Sequence, residues 1–249
     1  MRNNKRFITT PRIKKGSVEK RTDFVSVVLF SENHGYRMKS YGPVPLIEVR
    51  GKRLIEWQIE AITASFTNFE IILCSGFETE KTVNFIKDNF ENINIRVVEN
   101  QVHYNSNCCE SARLCINNTT NNKILFCGGG VLLTPDSLDL IDLNTSTVVY
   151  QAEDDDSNFE VGVVHNEHKL EGLSIGVKNQ YWTELLYLAD KKTITLLYSI
   201  LSNPEYKNRF IFEAINELPN KHKIYAKKNQ HNPLIKINSL KALKRIPRK

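Results

Sequence analysis

The chain has 249 residues, of which 41% are hydrophobic and 25% are charged, and its formal net charge at pH 7 is +6. This balance is typical of a globular protein with a sizeable core and excludes a disordered chain. No apolar run approaches the ~20 residues that a membrane-spanning helix needs. The basic N-terminus lacks the apolar stretch of a signal peptide, so we expect a protein that is not secreted by that route.

Cysteine and histidine patterns predict neither disulfides nor a metal centre. The five cysteines are an odd number with no regular spacing, which indicates reduced, buried thiols in a cytoplasmic type of compartment or in a virion. Among the six histidines, no pair has the spacing of zinc ligands. The residues alone therefore predict no cofactor.

Positive charge is concentrated at the two ends of the chain. Residues 1–22 hold eight Lys or Arg and one Glu, and residues 236–249 hold six Lys or Arg and no acidic residue. The remainder then carries a net charge of −7. Basic arms bind acidic partners, either protein grooves or nucleic acid. We expect a basic extension over 1–22 and a folded unit over 23–246, with a basic tail over 236–249.

The first half alternates predicted strands and helices. The strands are expected at 24–30, 70–74, 93–98 and 123–127, and the helices at 53–66, 79–90 and 107–118. This order predicts βαβ units in a three-layer, Rossmann-like α/β fold. Right-handed crossovers place the ligand cleft at the carboxyl ends of the parallel strands. The loop around Gly35 and Arg37 and the glycines at 128–130 both follow such ends, so both can face one cleft.

The second half is less regular and predicts a mixed, mostly parallel central sheet. Strands are expected at 147–152, 160–165, 171–177 and 223–227, and helices at 180–189, 192–202, 209–218 and 239–245. Trp57 and Trp182 fall within predicted helices and are expected in the core. The acidic run Glu153–Asp156 is interpreted as a solvated loop, since a D-x-D metal motif would end a central strand.

Several short motifs in this order of elements resemble the motifs of a known enzyme family. Gly35, Arg37 and Met38 follow the first strand, and Pro45 and Leu46 lie in a proline-bounded turn. They resemble the A-A-G-x-G-x-R-M loop and the K-P-L turn of the sugar-nucleotide and phosphocholine nucleotidyltransferases. The segment 51–55 is similar to that family's G-K-P-L-I, and 235–243 to its closing E-I-D-T-x-x-D-L. Further matching positions are Asn100, Tyr104, Asn107 and Ser111.

This resemblance implies the fold of the nucleotide-diphospho-sugar transferases, also called GT-A type, and a nucleotide pocket between the strand ends. Carried over residue by residue, the resemblance places the following positions in that pocket: Gly35, Arg37, Lys52, Asn107, Ser111, Gly128, Gly129 and Asn238.

The departures from the family fall on its charged groups. The family carries metal-binding aspartates where this chain has Gly129 and Asn238, and a lysine where it has Val44. Glycine has no side-chain oxygen, and an asparagine oxygen is a weak ligand for a hard cation. Losing one charge-stabilising group typically costs ~10²–10³ in rate. The resemblance therefore implies a vestigial pocket with no catalytic residues and no metal.

Three functions remain open from the sequence. The first is a catalytically degenerate structural or assembly component of a larger complex, such as a phage virion, docked through its basic arms. A composition rich in Asn, Lys and Ile is compatible with an AT-rich viral or bacterial genome. The second is an active Mg-dependent nucleotidyltransferase making a CDP- or NDP-activated sugar or choline, with Arg37 and Lys52 on the triphosphate. The third is a nucleotide-binding regulatory module.

Overall fold

The computed structural model describes residues 23–33, 37–152, 158–230 and 232–246. The extension 1–22 and the acidic run Glu153–Asp156 lie outside these ranges. Within them, no helix combines the length and the apolar character that crossing a bilayer requires. The helices are α1 Leu54–Ser65, α2 Thr79–Asn89, α3 Cys108–Ile116, α4 Lys191–Leu201, α5 Ile211–Ile215 and α6 Leu240–Arg245.

The strands begin with β1 Val25–Ser31, β2 Glu48–Val49, β3 Lys52–Arg53, β4 Phe69–Ser75, β5 Ile95–Glu99, β6 Ile124–Gly128 and β7 Val131–Leu132. They continue with β8 Thr147–Ala152, β9 Val161–Asn166, β10 Lys169–Ile175, β11 Gln180–Leu188, β12 Tyr225–Lys228 and β13 Ile235–Lys236. Most lie within a few residues of the sequence-based expectations. The short strands β2, β3, β7 and β13 were not expected.

The main sheet has nine strands in the order β5-β4-β1-β6-β11-β8-β12-β10-β9. β1 pairs in parallel with both β4 and β6, and β4 pairs in parallel with β5. β11 runs antiparallel between β6 and β8. The sheet is therefore mixed, with a parallel half built from the first part of the chain, as the alternation of elements predicts.

Helices cover both faces of the sheet because alternate residues of a strand point to opposite sides. Val27 and Leu29 of β1 share one buried cluster with Ile59 of α1. Val28 lies in another cluster with Cys109 of α3. These clusters form the two interfaces of a three-layer α/β architecture.

β11 corrects one expectation. Residues 180–189 were predicted as a helix, but Gln180–Leu188 is a strand, so Trp182 lies on a strand. Leu and Glu favour helices, yet pairing on both sides in the middle of a sheet outweighs that local preference. The pairing with β8 is irregular between Trp182 and Leu185, and Glu184 has a left-handed φ of 62°. This bulge redirects the Glu184 side chain.

The C-terminal segment returns to the carboxyl end of β6. β13 pairs with β7, and the Ile237 amide donates to the Gly130 carbonyl at 2.8 Å. Ile237 is buried with Met38 and Leu54 in a third cluster. Ser239 caps α6 by accepting from the Ala242 amide at 3.2 Å. Lys236 and Asn238 are thereby held beside the β6 end.

Candidate functional site

A cavity of about 350 Å³ lies at the carboxyl ends of β1 and β6, where the sequence predicts a ligand cleft. Aromatic rings dominate its apolar wall: Phe30, Phe126, Trp182, Phe210 and Phe212. The rings of Phe30 and Phe126 stack with centroids 5.9 Å apart. Cavities of this size with an apolar wall and a few polar groups are typical of small-molecule sites.

Four of the expected pocket residues line this cavity, namely Asn107, Gly128, Gly129 and Asn238. The Asn107 side chain caps α3 by accepting from the Cys108 amide at 2.8 Å. The cap orients the first turn of α3 toward the cavity. Four of the eight positions that the resemblance placed in a pocket therefore line this cavity.

The other expected residues stand elsewhere. Arg37 is exposed and does not line the cavity. Lys52 also lies away from the lining, and its ammonium bonds the Glu60 carboxylate at 2.5 Å. Ser111 is fully buried behind the lining. Gly35 lies outside the described residues.

Glu32 is a buried carboxyl group that follows β1 directly and faces the cavity; its side chain is 4% exposed. The Ser111 hydroxyl donates to this carboxylate and accepts from Asn100 Nδ2 at 3.0 Å. Burial raises the pKa of Glu32, and the hydrogen bonds from the backbone and Ser111 offset only part of this. The hydrogen-bonding groups of Ser111 and Asn100 are thus engaged with each other and with a carboxyl group of the protein itself.

Glu184 and Lys236 form an ion pair on the cavity wall. Lys236 Nζ lies 2.5 Å from Glu184 Oε1, and both side chains are less than a quarter exposed. Burial alone would lower the pKa of Lys236, but the charge of Glu184 and the hydrogen bond to it raise that pKa. With Glu32 and Glu160, the described residues of the lining hold three carboxyl groups and one ammonium group.

Cys108 is the cysteine that lines the cavity. Its sulfur accepts a hydrogen bond from the Ile211 amide at 3.1 Å. Burial raises the pKa of the Cys108 thiol far above its usual value, and the Glu32 charge adds to this. The thiol therefore stays protonated, which disfavours a nucleophilic role.

No protein-family model matches the sequence, and no curated protein matches it by sequence. Solved structures do match the fold. CTP:phosphocholine cytidylyltransferase from Streptococcus pneumoniae superposes with a TM-score of 0.72 and 17% identity, over 88% of this chain and 96% of that one. The inositol-1-phosphate CTP transferase from T. maritima also gives 0.72, at 15% identity, over 88% and 91% of the two chains. A nucleoside-diphosphate-sugar pyrophosphorylase from Vibrio cholerae gives 0.69, at 13% identity, over 90% and 100%.

The chain has the nucleotidyltransferase fold. At these identities the likeness establishes the architecture and not the reaction. The coverage of both chains shows that the described fold corresponds to nearly the whole of each matched structure.

The nucleotidyltransferase fold implies a divalent metal, and the residues present here do not fit one. A Cβ atom built on Gly129 would lie 1.8 Å from the Phe30 carbonyl oxygen, so no aspartate fits beside the end of β1. On its other side, the Gly129 carbonyl accepts from the buried Gln58 amide at 3.1 Å. Across the described ranges, no group of three or more His, Cys, Asp or Glu is placed to hold a metal ion.

The sequence patterns did not reveal the charged residues of the cavity: Glu32, Glu160, Glu184 and Lys236. Glu32 had a usable signal, since it directly follows a predicted strand that ends at the cleft. Glu184 was hidden by the incorrect helix prediction, and Lys236 was counted among the charges of a tail. Contacts between β11 and β13 join residues 52 positions apart, and a single sequence carries no sign of such pairing.

Proposed function

We propose that this nucleotidyltransferase-fold protein does not transfer nucleotidyl groups and serves as a structural or assembly component of a larger complex. The observation that carries the proposal is the backbone packing at Gly129. The glycine lies against Phe30, so the strand end offers no room for the acidic side chain that would hold a metal. Nucleotidyl transfer needs a cation to neutralise the triphosphate and the leaving pyrophosphate.

Two further positions, which carry charged residues in the family and neutral ones here, support the same conclusion. Asn238 lines the cavity with a neutral amide, and Val44 lines it with an apolar side chain that is 7% exposed. Neither supplies a charge to balance a triphosphate. Among the described lining residues the carboxyl groups outnumber the ammonium group of Lys236, which also disfavours a polyanion there.

The basic ends of the chain supply the docking role in this proposal. Residues 1–22 carry a net charge of +7, and α6 exposes Lys241, Lys244 and Arg245. Such arms bind acidic protein surfaces, and their binding weakens with salt. A multi-protein particle, for example a phage virion, is the setting we infer, with 23–246 as the folded unit.

Calorimetric titration with CTP, UTP, ATP and GTP, with and without magnesium, tests nucleotide binding. A pyrophosphate assay with each nucleotide plus a sugar 1-phosphate or phosphocholine as acceptor tests the loss of activity. We expect no magnesium-dependent binding and no release of pyrophosphate. Deleting residues 1–22 tests the docking role, because binding to an isolated native complex should weaken and lose salt dependence. Unchanged affinity of the shortened protein contradicts the role of the arm.

An active nucleotidyltransferase is the second candidate because the fold is that of solved nucleotidyltransferases and the cavity at the carboxyl ends of β1 and β6 persists. Magnesium-dependent nucleotide binding with pyrophosphate release would establish it. Binding of one nucleotide without turnover would instead establish a regulatory module.

A further inference from the structure

The ion pair between Glu184 and Lys236 occupies the end of β6 beside the positions where the family carries its metal ligands. Gly128 ends β6 and Gly129 follows it directly, and Asn238 follows Lys236 by two residues. All of these line the same cavity. The chain therefore places an ammonium ion in the region that a divalent cation would have to enter.

The backbone is shaped around this ion pair. Glu184 reaches the site from a bulge in β11, where its φ is 62°. A Cβ atom at position 128 would lie 2.0 Å from Glu184 Oε2, so the carboxylate fills the space that glycine leaves. A non-glycine residue held at positive φ is uncommon and is retained only where the surrounding contacts enforce it.

The charge of Lys236 is held in place on two sides. β13 pairs with β7 through Lys236 and Val131, which fixes the backbone. Glu184 fixes the ammonium group at 2.5 Å. A fixed positive charge repels a divalent cation, and the carboxylate that would best attract the cation is already paired.

We propose that the Lys236 ammonium group, held by Glu184, takes the place of the divalent cation in this cavity, which binds its ligand without metal. This inference rests on the proposed loss of nucleotidyl transfer. It adds the identity of the group that replaces the metal. The ligand class follows from the lining. A neutral or singly charged molecule with an apolar body fits aromatic walls, one ammonium group and several carboxyl groups, whereas a triphosphate does not.

The proposal is tested on the full chain by Mn²⁺ binding. Binding is measured as the loss of the electron paramagnetic resonance signal of free Mn²⁺. We expect no bound Mn²⁺ in the wild type at millimolar concentrations. Lys236→Met removes the ammonium group and frees Glu184, and we expect its Mn²⁺ affinity to rise by about tenfold or more, because one or two carboxylates with water suffice for a weak site. Adding Glu184→Gln to that variant should abolish the gain.

Two control variants isolate the effect of the charge in the cavity. Lys236→Arg keeps a cation and should behave as the wild type. Lys52→Met breaks an ion pair with the same 2.5 Å contact outside the cavity, so it should gain no Mn²⁺ site. Circular dichroism checks folding, and Lys236→Gln provides the same readout if the methionine variant does not fold.

Two results would overturn the replacement of the metal by Lys236. One is a stoichiometric Mn²⁺ site in the wild type that Glu184→Gln abolishes. The other is a folded Lys236→Met or Lys236→Gln protein that binds no more Mn²⁺ than the wild type. Either result, obtained with a wild type that releases no pyrophosphate, leaves the proposed function standing; pyrophosphate release by the wild type refutes that function separately.

Discussion

The carboxylate of Glu184 lies where a side chain at residue 128 would have to be. A Cβ atom on Gly128 would come within 2.0 Å of Glu184 Oε2 and 3.0 Å of Glu184 Cβ. The two residues belong to neighbouring antiparallel strands, β6 and β11. The absence of a side chain on one strand is therefore the condition for the charge on the other.

Gly128→Ala should displace Glu184 and break its ion pair with Lys236. We expect a loss of about 1–3 kcal/mol in the free energy of unfolding, because added volume in a packed site forces its neighbours to move. In a Glu184→Ala background the same substitution should cost less, with a coupling of about 0.5–3 kcal/mol. Urea unfolding of the two single variants, the double variant and the wild type measures this coupling. Purely additive effects would contradict the contact.

Gly129→Ala should destabilise the protein more than Gly128→Ala does. The obstacle at residue 129 is the Phe30 carbonyl of β1 at 1.8 Å, and backbone in a central strand cannot rotate away as a carboxylate can. We expect a cost at or above the upper end of the ~1–3 kcal/mol range for overpacking. Urea unfolding measures this cost.

Gly172→Ala is the matched control for this substitution, since the atom nearest to its Cβ lies 3.8 Å away. Gly129→Asp meets the same obstacle as Gly129→Ala and should not create a metal site. A stable Gly129→Asp protein that binds magnesium would show that the backbone at the end of β1 can move aside. That result would contradict the steric argument.

Glu32 should make stability depend on pH. Because burial raises the pKa of Glu32 in the folded state, that state binds its proton more tightly than the unfolded state does. The unfolding free energy contributed by Glu32 therefore falls as the pH rises from the unfolded pKa through the folded pKa. The pKa of an unperturbed glutamate is about 4.3. Urea unfolding between pH 4 and 8 should therefore show an unfolding free energy that declines as the pH rises above that value.

Glu32→Gln should remove this decline and raise stability at neutral pH, because an amide stays uncharged when it is buried. Glu160→Gln, which changes an exposed carboxyl group of the same cavity, serves as the control and should preserve the decline. A wild-type protein and a Glu32→Gln variant with parallel pH profiles would contradict the assignment.

Ser111→Ala should remove the hydroxyl that links Asn100 to Glu32. Both partners are buried, so we expect a loss of about 1–3 kcal/mol in the unfolding free energy. The same change at Ser106, which also accepts from Asn100 Nδ2 at 3.0 Å but is only partly buried, should cost less. Urea unfolding of both variants gives the comparison, and an equal cost would argue against a special role for the Glu32 contact.

Local patterns were sufficient for the parallel half of the fold. β1, β4 and β6 are short apolar runs buried on both faces, and the helices between them show clear amphipathic spacing, so their order predicts parallel pairing. The position of the cleft followed from the same rule, since the cavity lies at the carboxyl ends of β1 and β6.

The charged lining of the site was not predictable because it depends on pairing between distant strands. The residues of β11 mix helix-favouring Leu and Glu with strand-favouring Tyr, Trp and Thr, so local preference does not decide between helix and strand. Pairing with β6 and β8 holds the segment extended. The positive φ of Glu184 arises from this pairing and leaves no local signature. Lys236 appears in the sequence as one of several terminal charges, and only the two-residue strand β13 places it in the cavity.

The late position of β13 in the chain has a consequence for truncation. All nine strands of the main sheet end by residue 228, whereas the ammonium group of the cavity belongs to residue 236. A shortened protein that ends soon after β12 would keep all nine strands of the main sheet. Its cavity would hold the carboxyl groups without the ammonium group that balances one of them.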